Sequence, residues 1–234
     1  MKTVTRLALL TTVGLGANAA VGLCANTAAQ ADTFNLVSCH ITGSTCDGGS
    51  IPAPGFGSVT LTQVGANVNF TVSLINGNRF VETGSGGKEL FLFDDAIAGS
   101  TITSITTSPN TPAGGLSGFT NLAPVMADGT GSWTASVECT NFADCNGGSS
   151  PTMTSLSFTV TNATIAQLTT VGNDKGNIFA ADILCGATQP QCVGLTGPVD
   201  TPVPGPILGA GLPGLVMACA GLVGLARRRR QKLV

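Results

Sequence analysis

Tyrosine is absent from this 234-residue chain, histidine and tryptophan occur once each, and charged residues make up only 9%. Each shortage narrows the chemistry. With His40 alone, the zinc hydrolase sites built from two or three histidines cannot form. His40 also lies beside Cys39 in a cysteine-bounded loop, which favours a structural or exposed role. No Gly-x-Ser-x-Gly elbow occurs, so the common α/β-hydrolase nucleophile is missing. Carbohydrate sites built on exposed aromatic platforms are disfavoured too, because Trp133 alternates with Ala135 and Val137 as a core residue would. No Cys-x-x-Cys occurs, which removes the usual redox and zinc-ribbon spacings.

The few charges are sharply partitioned. All twelve acidic residues fall between Asp32 and Asp200, where the only lysines and arginines are Arg79, Lys88 and Lys175. Nucleic-acid binding needs basic patches that displace counterions, so nucleic acid is excluded as a partner. The remaining bases sit at the two ends of the chain.

Those ends read as targeting signals. Lys2 and Arg6 precede an apolar, small-residue stretch, and Ala29-Gln30-Ala31 supplies an A-x-A cleavage signal, so residues 1–31 are expected to be a secretory signal peptide cut after Ala31 by signal peptidase. Cys24 follows Leu23, where a lipoprotein site needs a small residue. Residues 207–226 carry no charge and are long enough to span a bilayer as a transmembrane helix. Arg227, Arg228, Arg229 and Arg230 follow as a cytoplasmic stop in the basic tail 227–234. The expected location is outside the cytoplasmic membrane, anchored to it, then at the cell surface or extracellular.

The order of Val203-Pro204-Gly205-Pro206, a short apolar helix and an arginine cluster resembles the PEP-CTERM sorting signal of bacterial surface proteins, with Gly205 where the type pattern has an acid. The resemblance implies processing by an exosortase-like sorting protease in a bacterium that makes exopolysaccharide. Weaker likenesses to ectodomains of that family lie in the Gly-x-Val-x-Leu opening of the first hairpin and in "FAADI" followed by "GLTGPV". They imply a β-rich surface domain and no particular activity.

Between the ends, period-two alternation dominates. Val59 and Leu61, then Val68, Phe70, Val72 and Leu74 after a Gly65-Ala66 turn, mark a hairpin with one buried face. Residues 89–95, 101–108, 131–139, 156–161 and 177–185 read as further strands, and 162–170 could hold one short helix. Short strands with Gly-rich turns predict an all-β antiparallel sandwich or jelly roll over 32–196. A Pro-rich linker is expected over 197–206. Six cysteines in this domain form three close pairs, and short turn-rich spacing outside the cytoplasm favours disulfides Cys39–Cys46, Cys139–Cys145 and Cys185–Cys192.

No catalytic residue and no cofactor are assigned. Asp94 and Asp95 are neighbours and would point to opposite faces of a strand. Glu82, Glu89, Glu138 and Asp182 could serve as a glycosidase acid pair only if the fold gathered them. Asp128, Asn173, Asp174 and Asn177 sit in Gly-containing loops as weak calcium candidates, without an EF-hand pattern. The two Asn-x-Thr matches, at Asn69 and Asn162, are chance in a chain with a bacterial-type tail. The leading expectation is a non-catalytic exported surface or matrix protein. A module binding calcium or an extracellular polysaccharide is the alternative, and a secreted hydrolase a third reading.

Overall fold

A computed structural model describes residues 30–82, 89–147 and 153–203. Its elements in chain order are β1 (Ala31–Leu36), β2 (Ser38–Cys39), β3 (Gly49–Ser50), β4 (Gly57–Val64), β5 (Asn67–Leu74), β6 (Arg79–Phe80), β7 (Glu89–Phe93), β8 (Ile102–Ser108), β9 (Leu116–Phe119), β10 (Val125–Ala127), β11 (Gly131–Trp133), β12 (Ala135–Cys139), β13 (Ser155–Val160), α1 (Ile165–Thr169), β14 (Asn177–Leu184) and β15 (Thr196–Pro202). The fold is all-β, and every strand ladder is antiparallel.

One sheet has the order β1-β4-β5-β13-β8, and the larger runs β3-β2-β15-β14-β7-β12-β9, with β6 beside β14. The β4–β5 hairpin forms as its alternation demands: Val59, Leu61, Val68, Phe70 and Val72 are buried, and Leu61 faces Phe70. Gly65 turns the chain at φ 60°, a conformation cheap only for glycine. The short helix α1 is closed by a capping box between Thr164 and Gln167.

The sheets meet through phenylalanines. Phe70 and Phe158 come from the first sheet, with ring centroids 4.5 Å apart; Phe93 and Phe179 from the second lie 5.2 and 5.8 Å from Phe70. At one seam the chain bends at Val37 from β1 into β2, and the Val37 N–H donates to Asp200 O at 2.9 Å. At the other seam Gly118 of β9 lies so close to Ile102 of β8 that a Cβ there would fall 2.5 Å from its side chain. β15 runs beside β1 in the opposite direction, with the Thr201 hydroxyl donating to Asn35 O. Both described ends of the domain therefore leave on the same side.

Two expectations are corrected. The run 131–139 is not one strand. Thr134 breaks it, because its N–H and hydroxyl donate to Asp94 Oδ1 while its hydroxyl oxygen accepts the Asp95 N–H. Trp133 consequently leaves the face of Ala135 and Val137 and is buried against Leu92 and Ala180 on the outer side of the large sheet, under Val125 and Ala127. The linker expected over 197–206 is strand as far as Pro202. Residues 197–201 are buried in the large sheet between β14 and β2, and the Val203 N–H bonds Gly176 O. Two prolines had argued against a strand. Pro198 sits where its carbonyl alone is needed, accepting the His40 N–H at 3.0 Å.

Among the described residues no helix is long and apolar enough to cross a membrane. The expected signal segment up to residue 29, the motif residues Pro204, Gly205 and Pro206, the span over 207–226 and Arg227–Arg230 lie outside the described residues. Ala31, the expected cleavage residue, opens β1 opposite Thr62.

Candidate functional site

The three disulfides join the expected partners, Cys39–Cys46, Cys139–Cys145 and Cys185–Cys192, with Cα separations of 5.7, 6.2 and 5.7 Å. Each closes a loop at a strand end of the large sheet. The first of these loops also carries His40 to the outer face of that sheet.

There the antiparallel register places Ser50, Ser38 and Asp200 opposite one another on β3, β2 and β15. Val199 points into the core, so Asp200 must point outward. Its carboxylate is nevertheless fully buried, because neighbouring loops rise around it. His40 Nε2 donates to Asp200 Oδ2 at 2.9 Å, and Asn177 Nδ2 donates to the same oxygen at 2.8 Å. The Asn177 amide also donates to Thr130 O, joined there by Asn173 Nδ2, both at 2.9 Å. Asp174 Oδ1 accepts the Ser132 N–H at 2.7 Å. Loops 127–131 and 173–177 are thus tied to each other and to β15.

These side chains surround an open cleft of about 420 Å³, lined by Ser38, His40, Ser50, Lys175, Asn177 and Asp200 among others. The hydrogen bond that His40 donates to Asp200 raises the His40 pKa above its ordinary value of 6.5; burial opposes it, and the nearby charges of Asp200, Asp47 and Asp128 add to it. Gly129 closes the other side of the ring: a Cβ there would lie 2.5 Å from Nδ1. The His40 nitrogen left free by Asp200 therefore lies against the Gly129 backbone, and no Ser-His-Asp relay is assembled among the described residues. A smaller hollow of about 270 Å³, bounded by Pro52, Pro54, Ile75, Gln189 and Pro190, contains no ionisable side chain.

Of the calcium candidates, Asn173 and Asn177 come together as hydrogen-bond partners of each other and of Thr130, while Asp174 is engaged by Ser132. Asn173 Oδ1 accepts the N–H groups of Lys175 and Asn177, and both asparagine amides present nitrogen, not oxygen, to Thr130. Asp128 is exposed at the β10–β11 turn. The grouping of metal-type ligand atoms found among the described residues is Glu82 with Cys139 and Cys145, whose sulfurs are spent in a disulfide.

The other carboxylates have structural neighbours. Glu82 is buried and Oε1 accepts the Cys139 N–H at 2.8 Å. Glu89 and Glu138 face each other across β7 and β12, and the Glu89 pKa is raised, mainly by burial and then by Glu138. Asp95 accepts the Ser100 hydroxyl and the Ile97 N–H, bracing the turn after β7.

The pairing of His40 with Asp200 spans 160 positions and was not read from the sequence. The available signal was alternation in "GPVDTP", where Val199 inward and Asp200 outward would have marked a strand. Comparison with protein-family models, curated proteins and solved structures finds no match.

Proposed function

We propose that the chain is a non-catalytic, exported cell-surface or extracellular-matrix protein. Its β-sandwich ectodomain is secreted through a cleaved signal peptide, anchored by the apolar segment over 207–226 and processed at its PEP-CTERM-like tail by an exosortase-type protease. The observation that carries this reading is the set of three closed disulfides in one small domain, a device of oxidising compartments. The shared side on which residues 30 and 203 leave the domain also supports it, because a signal segment and an anchor can then approach one membrane without crossing the fold.

Mass spectrometry of the protein made in an exosortase-bearing bacterium, and in the same strain lacking the protease, tests the reading. An N-terminus at Asp32, three disulfides and loss of Arg227–Arg230 only when the protease is present are the expected results. A mature chain that keeps Met1, with the six cysteines of the domain all as free thiols, would sink the export proposal. A tail retained in both strains would remove the processing step and leave the anchor.

A further inference from the structure

We propose that the cleft bounded by His40, Lys175 and Asp200 is a binding site for a hydroxylated carboxylic acid of the uronic-acid type. The site is independent of how the chain is exported.

The argument begins with Asp200. Its Oδ2 receives two N–H donors, while no donor among the described residues reaches Oδ1, although the side chain is completely buried. A buried, half-satisfied carboxylate is costly unless something supplies the missing donor. Asp200 lines the cleft, so a ligand seated there can supply that donor once the walls part over Oδ1, which is itself sealed from solvent.

The second observation is charge placement. His40, Arg79 and Lys175 are the only cationic side-chain types among the described residues, in a domain holding twelve acids in the whole sequence. Two of the three, His40 and Lys175, line this one cleft. The site offers a carboxylate acceptor at its floor and a lysine at its rim, with the serine hydroxyls of Ser38 and Ser50 beside them. An amine would satisfy Asp200 but meet Lys175 and His40. A bare inorganic anion would meet Lys175 but face Asp200. A molecule that donates hydroxyls and also carries a carboxylate satisfies both ends.

The volume of about 420 Å³ lies in the range of small-molecule sites, generous for one sugar unit. Recognition rests on charge and hydrogen bonds, which suits a cleft whose lining holds no phenylalanine or tryptophan; the His40 ring is the flat face it has. The walls are held in advance by the Asn173 and Asn177 amide bonds to Thr130 and by Gly129 against the imidazole.

His40 is the sole histidine, so its imidazole proton signal in an untagged full-length chain reports on this cleft alone. Titration with D-glucuronate should shift that signal saturably. Glucose, which lacks the carboxylate, and acetate, which lacks the hydroxyls, should bind more weakly. Lys175 is exposed, so Lys175→Gln leaves the fold intact and should weaken glucuronate binding by roughly three- to tenfold. A trimeric oligouronate that binds more tightly than the monomer assigns a polysaccharide as the source, and equal affinity the free acid; both sustain the site. No saturable shift, a shift matched by glucose or acetate, or an unchanged affinity in Lys175→Gln overturns the proposal.

Discussion

Two N–H donors converge on Asp200 Oδ2, and one of them, His40, is a histidine whose pKa this contact raises. The groups facing that imidazole are Asp200 on β15, Asp47 in the β2–β3 loop, Asp128 at the β10–β11 turn and Lys175 in the loop before β14. The acids outweigh the lysine, and the folded pKa of His40 stands above 6.5. The folded state therefore holds the imidazole proton more tightly than the unfolded chain. The resulting stabilisation is fully present below about pH 6.5 and is lost as pH rises through the folded pKa. Urea midpoints should fall over that interval in the parent protein and stay level in His40→Gln. Equal slopes in the two proteins would show that the dependence arises elsewhere.

Among the elements, β7 and β12 carry an avoidable conflict. Glu89 and Glu138 face each other at a register shift, and burial plus the like charge raise the Glu89 pKa. Ionised Glu89 opposes folding, so the sign is the reverse of a paired carboxylate: stability declines as pH rises through its folded pKa. Glu89→Gln should raise the melting temperature at neutral pH, with the gain disappearing below about pH 4.5, where the parent is also uncharged. A variant less stable than the parent at neutral pH would instead show that the carboxylate is needed there. The Cys185–Cys192 bridge acts differently, through the unfolded chain. Gly194 N–H already bonds Cys185 O in the folded loop, so the folded geometry does not depend on the bridge alone. Replacing both cysteines by alanine should lower the unfolding free energy by about 2.5 kcal/mol with little change in the near-ultraviolet spectrum. A loss of tertiary signal would refute that division.

The same elements show what a sequence can convey. Alternation located β4, β5 and β13 because each buries one face against the core, apolar runs located β7 and β14 because both their faces are covered, and cysteine spacing located the bridges because each closes within its own loop. Thr134 defeated the pattern, since its break is made by Asp94 from another strand end. The His40–Asp200 cleft was illegible for a related reason: it exists only once β2 and β15 pair. Local periodicity carries no information about which distant strands become neighbours.

At the scale of the whole molecule, the most consequential difference is β15. A flexible linker would leave the domain free of the proposed anchor, whereas strand pairing through Pro202 and the Val203 bond to Gly176 carry the folded domain up to the first residue of the proposed sorting motif. β15 also completes the large sheet between β14 and β2 and supplies Asp200 to the cleft, so loosening it would cost both the core and the site. Its protection can be measured with a protease that cuts before aspartate. In the native full-length chain, cleavage at exposed Asp47, Asp128 and Asp174 should precede cleavage at Asp200, which is buried and ladder-bonded. Early cutting at Asp200 in otherwise intact protein would return this segment to a linker. Protection would mean that any protease acting at the tail works directly against the folded domain and must reach its substrate beyond Val203.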